Sequence, residues 1–581
     1  MKRSMRLRHL LRENMRTTFF IQGVFLAVIF WIFFKPMILH AYNLTIRNVT
    51  PSGDDIYFHA YFSLKILYEP LSLLQYNVLS ETIIPTQYPN LIHYILSLSY
   101  LITSNPMFLI KAYGVLELIM IITGTVLYIL LLNYILLKNL SQTIILSSLI
   151  PLFSYWILQT LAAGSIMYLL DLLVFLPITV LSLISRKFML AGFIFGFSCL
   201  NWLGFLLIGL LVFVWFLIEL ISALASKNIK FMFKQCIWLL IGLSIGGNIF
   251  LVRFVKHFLE IFHTLLVSFS TGEVKASGGQ FYTPLTFNKF SSYLYIRNDY
   301  FLFAVMLLAI VVILISSLSR KLKPESGKIL VWLNVFWIML LIASIGLINL
   351  KTPNAFEIQI RCLRTLSFLT IIPIVSFFSV MANICGLQSS LLSIRIKEFR
   401  ISFTKPLYHL LIAIIVVMFF SSPFLNFFTK LEKGPDGLFR MNEKELQEIL
   451  FFRERFVKLD QDIIILGIEQ VGSFLLPLLS IPEKNITVFL LTPPKLLTRL
   501  DPNDPQRKFS EIFTKGILMK DSRILALYNI KYLVIYRPQE KQFYWKEVLE
   551  FFNELWDMNF STLGEIIYET NEVKIWKFKM S

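Results

Sequence analysis

The chain has 581 residues, of which 56% are hydrophobic, 15% aromatic and only 15% charged. Soluble domains carry about 25% charged residues, so this composition excludes a soluble globular chain and a disordered one. The formal net charge is +18, yet residues 430–581 hold 22 basic and 22 acidic residues, so the excess lies in the apolar part and does not argue for a nucleic-acid partner.

In chain order, the basic segment MKRSMRLRHLLRENMR (residues 1–18 as a region) is followed by the apolar run 19–39, which lacks a small-residue cleavage pattern and reads as a retained first span. Further apolar runs predict spans near 88–104, 113–137, 142–158, 166–184, 188–222, 235–253, 300–318, 329–349, 363–384 and 407–424. Each is about long enough to cross a hydrocarbon core of about 30 Å, giving a polytopic α-helical membrane protein of about 11 spans. Pro151, Gly164 and Pro177 interrupt 142–184, and the run 188–222 is long enough to hide two helices. With the N-terminus cytoplasmic, Lys111, the Lys227/Lys230/Lys234 group, the Arg320–Lys328 group and the Arg395–Lys405 group fall on inner loops, as the positive-inside bias requires. Lys138 and the Arg186/Lys187 pair fall outside and are the main exceptions.

Two outer loops are large, about 42–87 and 254–299. In the first, GDDIYFHAYFSLKIL predicts an amphipathic helix at the membrane interface, capped by Asp54. In the second, STGEVKASGGQFYTP predicts a mobile loop. These elements make 19–429 one transmembrane domain, and residues 430–581 an extracytoplasmic α/β domain. In the latter, DIIILGI, ITVFLL and YLVIY predict buried strands, QFYWKEVLEFFNEL an amphipathic helix, and EIIYETNEVKIWKFK a hairpin turning at Asn571–Glu572. The four cysteines (199, 236, 362, 385) show no C-x-x-C spacing, so neither a disulfide framework nor a zinc site is expected.

Ionisable groups within spans are default functional candidates. Glu117, Asp171 and Glu219 qualify, but the topology puts each near a cytoplasmic helix end, where a snorkelling or locally paired acid is the simpler reading. Among the outer acids, Asp54 and Asp55 are adjacent, and His59 follows Asp55 by one helical turn. A carboxylate and an imidazole on one face can bind a divalent cation such as Mg or Mn, or accept a proton from an attacking hydroxyl. They can equally be a helix cap, a dipole partner and an interfacial residue. Arg361 and Arg364, three residues apart at an outer helix end, can clamp a phosphate headgroup or snorkel. Arg253, Lys256 and His257 carry the same ambiguity, and Glu273 on the Gly-rich loop is either a substrate-closing carboxylate or a solvated acid. There is no Walker loop, G-x-S-x-G elbow or H-E-x-x-H, so no nucleotide or haem cofactor is expected.

With a basic N-terminus, one span, a first outer loop bearing PSGDDIYFHAY and a following TQYPNLIHYILSLSYL segment, the chain resembles the GT-C class of integral membrane glycosyltransferases. It is similar in the same loop to the prokaryotic membrane proteins labelled 6-pyruvoyl-tetrahydropterin synthase-related, without the histidine cluster that pterin chemistry needs. The resemblance implies a polyprenyl-phosphate or polyprenyl-diphosphate sugar donor, a glycan, lipid or protein acceptor, and a prokaryotic plasma membrane. It assigns the role of base or metal ligand to Asp55 or Asp54 with His59 as neighbour, and matches Glu273 by loop position alone. No W-W-D-x-G type acceptor motif is present. A lipid or glycan transporter and a non-catalytic assembly protein are the alternatives.

Overall fold

In a computed structural model, residues 55–68, 91–103, 105–135, 169–200, 202–226, 229–271, 299–318, 324–346, 362, 365–366, 369–384, 392–396, 399–403, 443–468, 475–491, 493–494, 505–537, 546–571 and 573–579 are described. The predicted spans 19–39, 142–158 and 407–424 lie outside them. The apolar helices are α1 (Asp55–Tyr68), α2 (Leu91–Thr103), α3 (Pro106–Ile135), α4 (Leu176–Ile184), α5 (Phe188–Phe197), α6 (Trp202–Ala225), α7 (Ile229–Thr271), α8 (Asp299–Leu318), α9 (Pro324–Gly346) and α10 (Ile371–Ile384). Among the described residues, the segments Pro106–Tyr128, Gly204–Ala225, Ile229–Asn248 and Glu325–Ser344 are long and apolar enough to cross a membrane, and Leu91–Thr103, Leu170–Ile184, Phe188–Phe197 and Val305–Leu318 are shorter apolar helices.

The run 188–222 is two helices. α5 stops after ten residues, a 3-10 turn at Ser198–Leu200 follows, and α6 begins at Trp202. What holds α5 is a backbone-to-backbone crossing with α7. A β-carbon on Gly192 would stand 2.0 Å from the Leu239 carbonyl oxygen, and one on Gly196 2.3 Å from that of Leu243. Reciprocally, Gly242 and Gly246 of α7 lie against the carbonyls of Met189 and Phe193. Each helix thus presents glycines four residues apart, the small-residue spacing that lets membrane helices approach closely. This folding-back also corrects the expected position of Arg186 and Lys187. Arg186 is ion-paired with Glu325 at the start of α9, so the α4–α5 connection lies at the same end of the bundle as Lys328.

Upstream of α4 the backbone makes a π-turn, Leu170–Phe175, in which the Leu176 N–H reaches the Asp171 carbonyl five residues back. Pro177 follows in the first turn of α4. Proline has no N–H to donate, and a wide turn before it absorbs the broken ladder. α7 is also interrupted, at Asn248, whose φ of 41° is left-handed. The helix nevertheless continues to Thr271, so the first part of the expected loop 254–299 is helical.

After the two-stranded pair β1 (Leu392–Ile396) and β2 (Phe399–Phe403), the remaining elements are α11 (Glu443–Arg455), β3 (Ile464–Gly467), α12 (Leu475–Leu479), β4 (Thr487–Leu490), α13 (Pro505–Leu518), α14 (Ser522–Leu527), β5 (Ile530–Tyr536), α15 (Lys546–Asp557), β6 (Gly564–Glu569) and β7 (Val573–Phe578). They build a five-stranded sheet in the order β4-β3-β5-β7-β6. β3 pairs parallel with β4 and β5, and β7 pairs antiparallel with β5 and β6. The predicted strands, helix and hairpin are all present, because each carries its own period: β5 is buried at six of seven positions as a central strand must be, and α15 buries Phe551, Phe552 and Leu555 while Glu550 and Glu554 stay exposed.

The two faces of this sheet go to different places. Leu533, Ile535, Trp576 and Phe578 pack under α13–α15. Their alternate neighbours Tyr532, Val534, Tyr536 and Ile575 belong to the same apolar cluster as α11, α12 and the helices of the membrane domain. Period-two alternation therefore makes one face of the sheet continuous with the helix bundle.

Candidate functional site

The join between bundle and sheet is α1. Its residues Ala60, Tyr61, Phe62, Ser63, Leu64 and Ile66 are at most 5% exposed, as is His59. Seven nearly consecutive buried positions cover every face of a helix, so α1 is not the amphipathic interfacial helix expected from sequence; it is a buried wedge. It packs on α2 and α3 on one side and on α12 and the 3-10 turn Pro482–Lys484 on the other.

At the start of this wedge stands Asp55, the first residue of α1. That position is the N-terminal, positive end of the helix dipole. One turn on, His59 is 1% exposed, and its Nδ1 lies 2.8 Å from Nε2 of His93 on α2, which is fully buried. One of the two facing nitrogens must donate and the other accept, so the pair shares a single proton and fixes each ring's tautomer. The His59 ring stacks on Tyr113 of α3, with centroids 6.2 Å apart and planes at 19°. Phe62 meets the His93 ring edge-on at 5.2 Å, and the Ser63 hydroxyl donates to the His59 carbonyl at 2.6 Å. The imidazole that the sequence offered as a neighbour to Asp55 is thus locked into a three-helix contact, where its chemistry is to hold α1 and its leading acid in place.

His93 and Tyr113 escaped the sequence reading. Both lie in apolar runs, and the available signal was that the chain has only seven histidines, one of them within a short, mostly apolar helix. Across the same junction, the Tyr100 hydroxyl of α2 is within side-chain hydrogen-bonding reach of Arg453 of α11 and Glu483, so α2 touches the α/β domain directly.

The other candidates divide clearly. Asp54, Glu273, Arg361 and Arg364 lie outside the described residues, as does the side chain of Asp55. The side chains of Arg253, Lys256 and His257 on α7 are also outside them. Glu117 and Asp171, read from sequence as snorkelling or locally paired acids, are 1% and 4% exposed within the bundle, which leaves no room for snorkelling. The room for Asp171 comes from Gly204 of α6, where a β-carbon would stand 2.0 Å from its Oδ1. Glu219 is locally paired as expected, with Lys328 Nζ at 2.7 Å. Among the described residues no group of three His, Cys, Asp or Glu side chains is placed to hold a metal ion.

No family model matches the chain, and no curated protein matches it. Among the solved structures similar in overall trace is the oligosaccharyltransferase of Archaeoglobus fulgidus, crystallised with a tethered acceptor peptide containing the NVT sequon, at 13% identity and a TM-score of 0.46 over 89% of this chain and 69% of that one. At this level of likeness the residues of the present chain, rather than those of the archaeal enzyme, carry any functional reading.

Proposed function

We propose that this chain is a membrane glycosyltransferase of GT-C type that moves a sugar or glycan from a polyprenyl-phosphate or polyprenyl-diphosphate donor to a glycan, lipid or protein acceptor at the outer membrane face. The observation that supports it best is the position of Asp55: it opens a helix wedged between the membrane bundle and the α/β domain. A lipid-linked donor must keep its tail in the bilayer while its sugar meets an acceptor beside a soluble surface, and a pre-positioned acid at that boundary is what transfer requires. The Arg186, Lys187, Lys230, Lys234 and Lys328 end of the bundle is then cytoplasmic, and the α/β domain extracytoplasmic, in a prokaryotic plasma membrane.

In this reading Asp55 or Asp54 takes the proton from the attacking acceptor hydroxyl, while Arg361 and Arg364 bind the phosphate leaving group and Glu273 closes over the donor. His59, held by His93, keeps the first turn of α1 in register. The adjacent carboxylates Asp54 and Asp55 are the hard oxygen donors that a Mg or Mn ion takes, and such an ion would supply positive charge at the reacting centre.

The test is release of polyprenyl phosphate from a panel of polyprenyl-linked sugars by the purified full chain, with and without divalent cation, for the wild type, Asp54→Ala and Asp55→Ala. Turnover that disappears in one variant supports the proposal and identifies the acid. Donor binding without turnover in the wild type, unaffected by either substitution, moves the assignment to the second reading, a lipid or glycan transporter. That reading is favoured by the buried acids Glu117 and Asp171, since ionisable groups within a bundle are characteristic of transport paths.

A further inference from the structure

Where α4 ends, α6 ends, and α5, α7 and α9 begin, the helices enclose a cavity of about 480 Å³. That volume falls within the range of small-molecule sites, about 300–1,000 Å³. None of its lining residues belongs to α1. Trp215 and Trp332 form part of its wall, 7% and 2% exposed, and Trp332 is fixed by donating its Nε1–H to the Leu211 carbonyl at 3.0 Å. The charged lining consists of two ion pairs, Arg186 with Glu325 and Lys328 with Glu219. Gln235 of α7 completes it. Its side chain is 5% exposed, and its buried Oε1 has no hydrogen-bond donor among the described residues.

A buried amide oxygen without a donor is costly, which makes it a strong selector for a ligand that brings one. The charges select further. Two cations and two anions sum to zero, so a lone phosphate would meet two carboxylates, whereas a zwitterion would match both signs. The surroundings indicate where that zwitterion comes from. On α6 and α7 beside the cavity, Ile221, Leu224, Phe231 and Phe233 are 67%, 56%, 46% and 62% exposed, which is apolar surface of the kind acyl chains cover. The geometry points to a lipid site at the bundle end, one that takes the headgroup of a primary-amine phospholipid: the ammonium donates to Gln235 Oε1 and lies by Glu219, the phosphate lies by Lys328 and Arg186, and the acyl chains run along α6 and α7.

The experiment is competitive binding to the purified full chain in maltoside micelles, using phosphatidylethanolamine, phosphatidylcholine and phosphatidylglycerol of identical acyl chains, with free phosphoethanolamine as a fourth arm. The expected result is retention of phosphatidylethanolamine about tenfold over phosphatidylcholine, which has no N–H to donate, with Gln235→Leu removing the preference. Equal retention of the three lipids would overturn the site, as would a preference that survives Gln235→Leu. Displacement of the lipid by free phosphoethanolamine at the same concentration would also overturn it, because the apolar flank would then contribute nothing. Should Gln235→Leu fail to fold, Glu219→Gln decides instead: it keeps the side-chain volume, and the preference for phosphatidylethanolamine over phosphatidylglycerol must fall with the loss of the anion beside the ammonium.

Discussion

Replacing His93 by Phe takes away the nitrogen that faces His59 Nδ1 at 2.8 Å while leaving an aromatic ring in a site already built for one. Both histidines are essentially inaccessible, at 1% and 0% exposure, so water cannot take over the lost bond. A buried polar atom deprived of its partner costs about 1–3 kcal/mol, whereas a pair replaced together by apolar groups of similar shape is nearly neutral. The prediction is therefore a non-additive cycle: His59→Phe and His93→Phe each destabilise the chain by about 1–3 kcal/mol, and the double variant recovers about 1–2 kcal/mol of their sum, the range expected of directly contacting residues. Denaturant titration of the four proteins in micelles, followed by tryptophan fluorescence, gives the coupling. Single effects that add to within about 0.5 kcal/mol, the behaviour of independent sites, would refute the claim that the two rings are energetically joined. Turnover should follow the same pattern if α1 is held in register by this pair, with the double variant more active than either single one.

Asp55→Ala should do the reverse of those substitutions, leaving stability within about 1 kcal/mol, the range of a helix-dipole contact, while donor turnover is lost; a large drop in the unfolding midpoint would show it to be a structural residue. Gly204→Ala should cost about 1–3 kcal/mol by overpacking, since the new methyl group must displace the Asp171 carboxylate, and Asp171→Ala in the same chain should restore part of that loss. Gly242→Leu should separate α5 from α7, detected as increased accessibility of a cysteine placed at the fully buried Ala191 of α5 to a membrane-permeant thiol reagent; unchanged labelling would refute the close crossing. In the α/β domain, burial first and then the hydrogen bond to Asp460 Oδ2 at 2.8 Å push the Tyr532 hydroxyl above its ordinary value of 10.0. A raised native value means the stabilisation is fully present below pH about 10, where the unfolded phenol is also protonated, and is lost as pH rises beyond it; Tyr532→Phe should flatten that alkaline decline in a pH series of thermal unfolding.

The parts of this fold that could be read from sequence are those whose signal is local. Strands β3, β4 and β5, helix α15 and the terminal hairpin each carry a period in their own residues, and the apolar runs announce α6, α8 and α9 by composition. What could not be read depends on a second chain segment. The division of 188–222 rests on glycines of α5 meeting glycines of α7, and no pattern within the run itself says where it bends. α1 looks amphipathic when its residues are projected as an isolated helix, and is buried all round because α12 and the 482–484 turn cover its second face. The same holds for the site: Asp55 and His59 were visible as a short motif, whereas His93, Tyr113 and Gln235 gain their meaning only from neighbours 34, 54 and more residues away, computed along the chain from His59 for the first two.

The position of α1 also sets an order of events during synthesis. This helix leaves the ribosome roughly four hundred positions before the residues that cover its second face, 475–484, and the sheet behind them closes only when β7 inserts between β5 and β6. Contacts of such separation form late, because loop closure must precede them. A nascent chain threaded halfway into the bilayer therefore carries the acid-led helix in an unfinished setting, and any catalytic competence dependent on it arises only after translation of the last strands. Ribosome-stalled chains ending before residue 475 should consequently bind membrane but leave α1 open to protease.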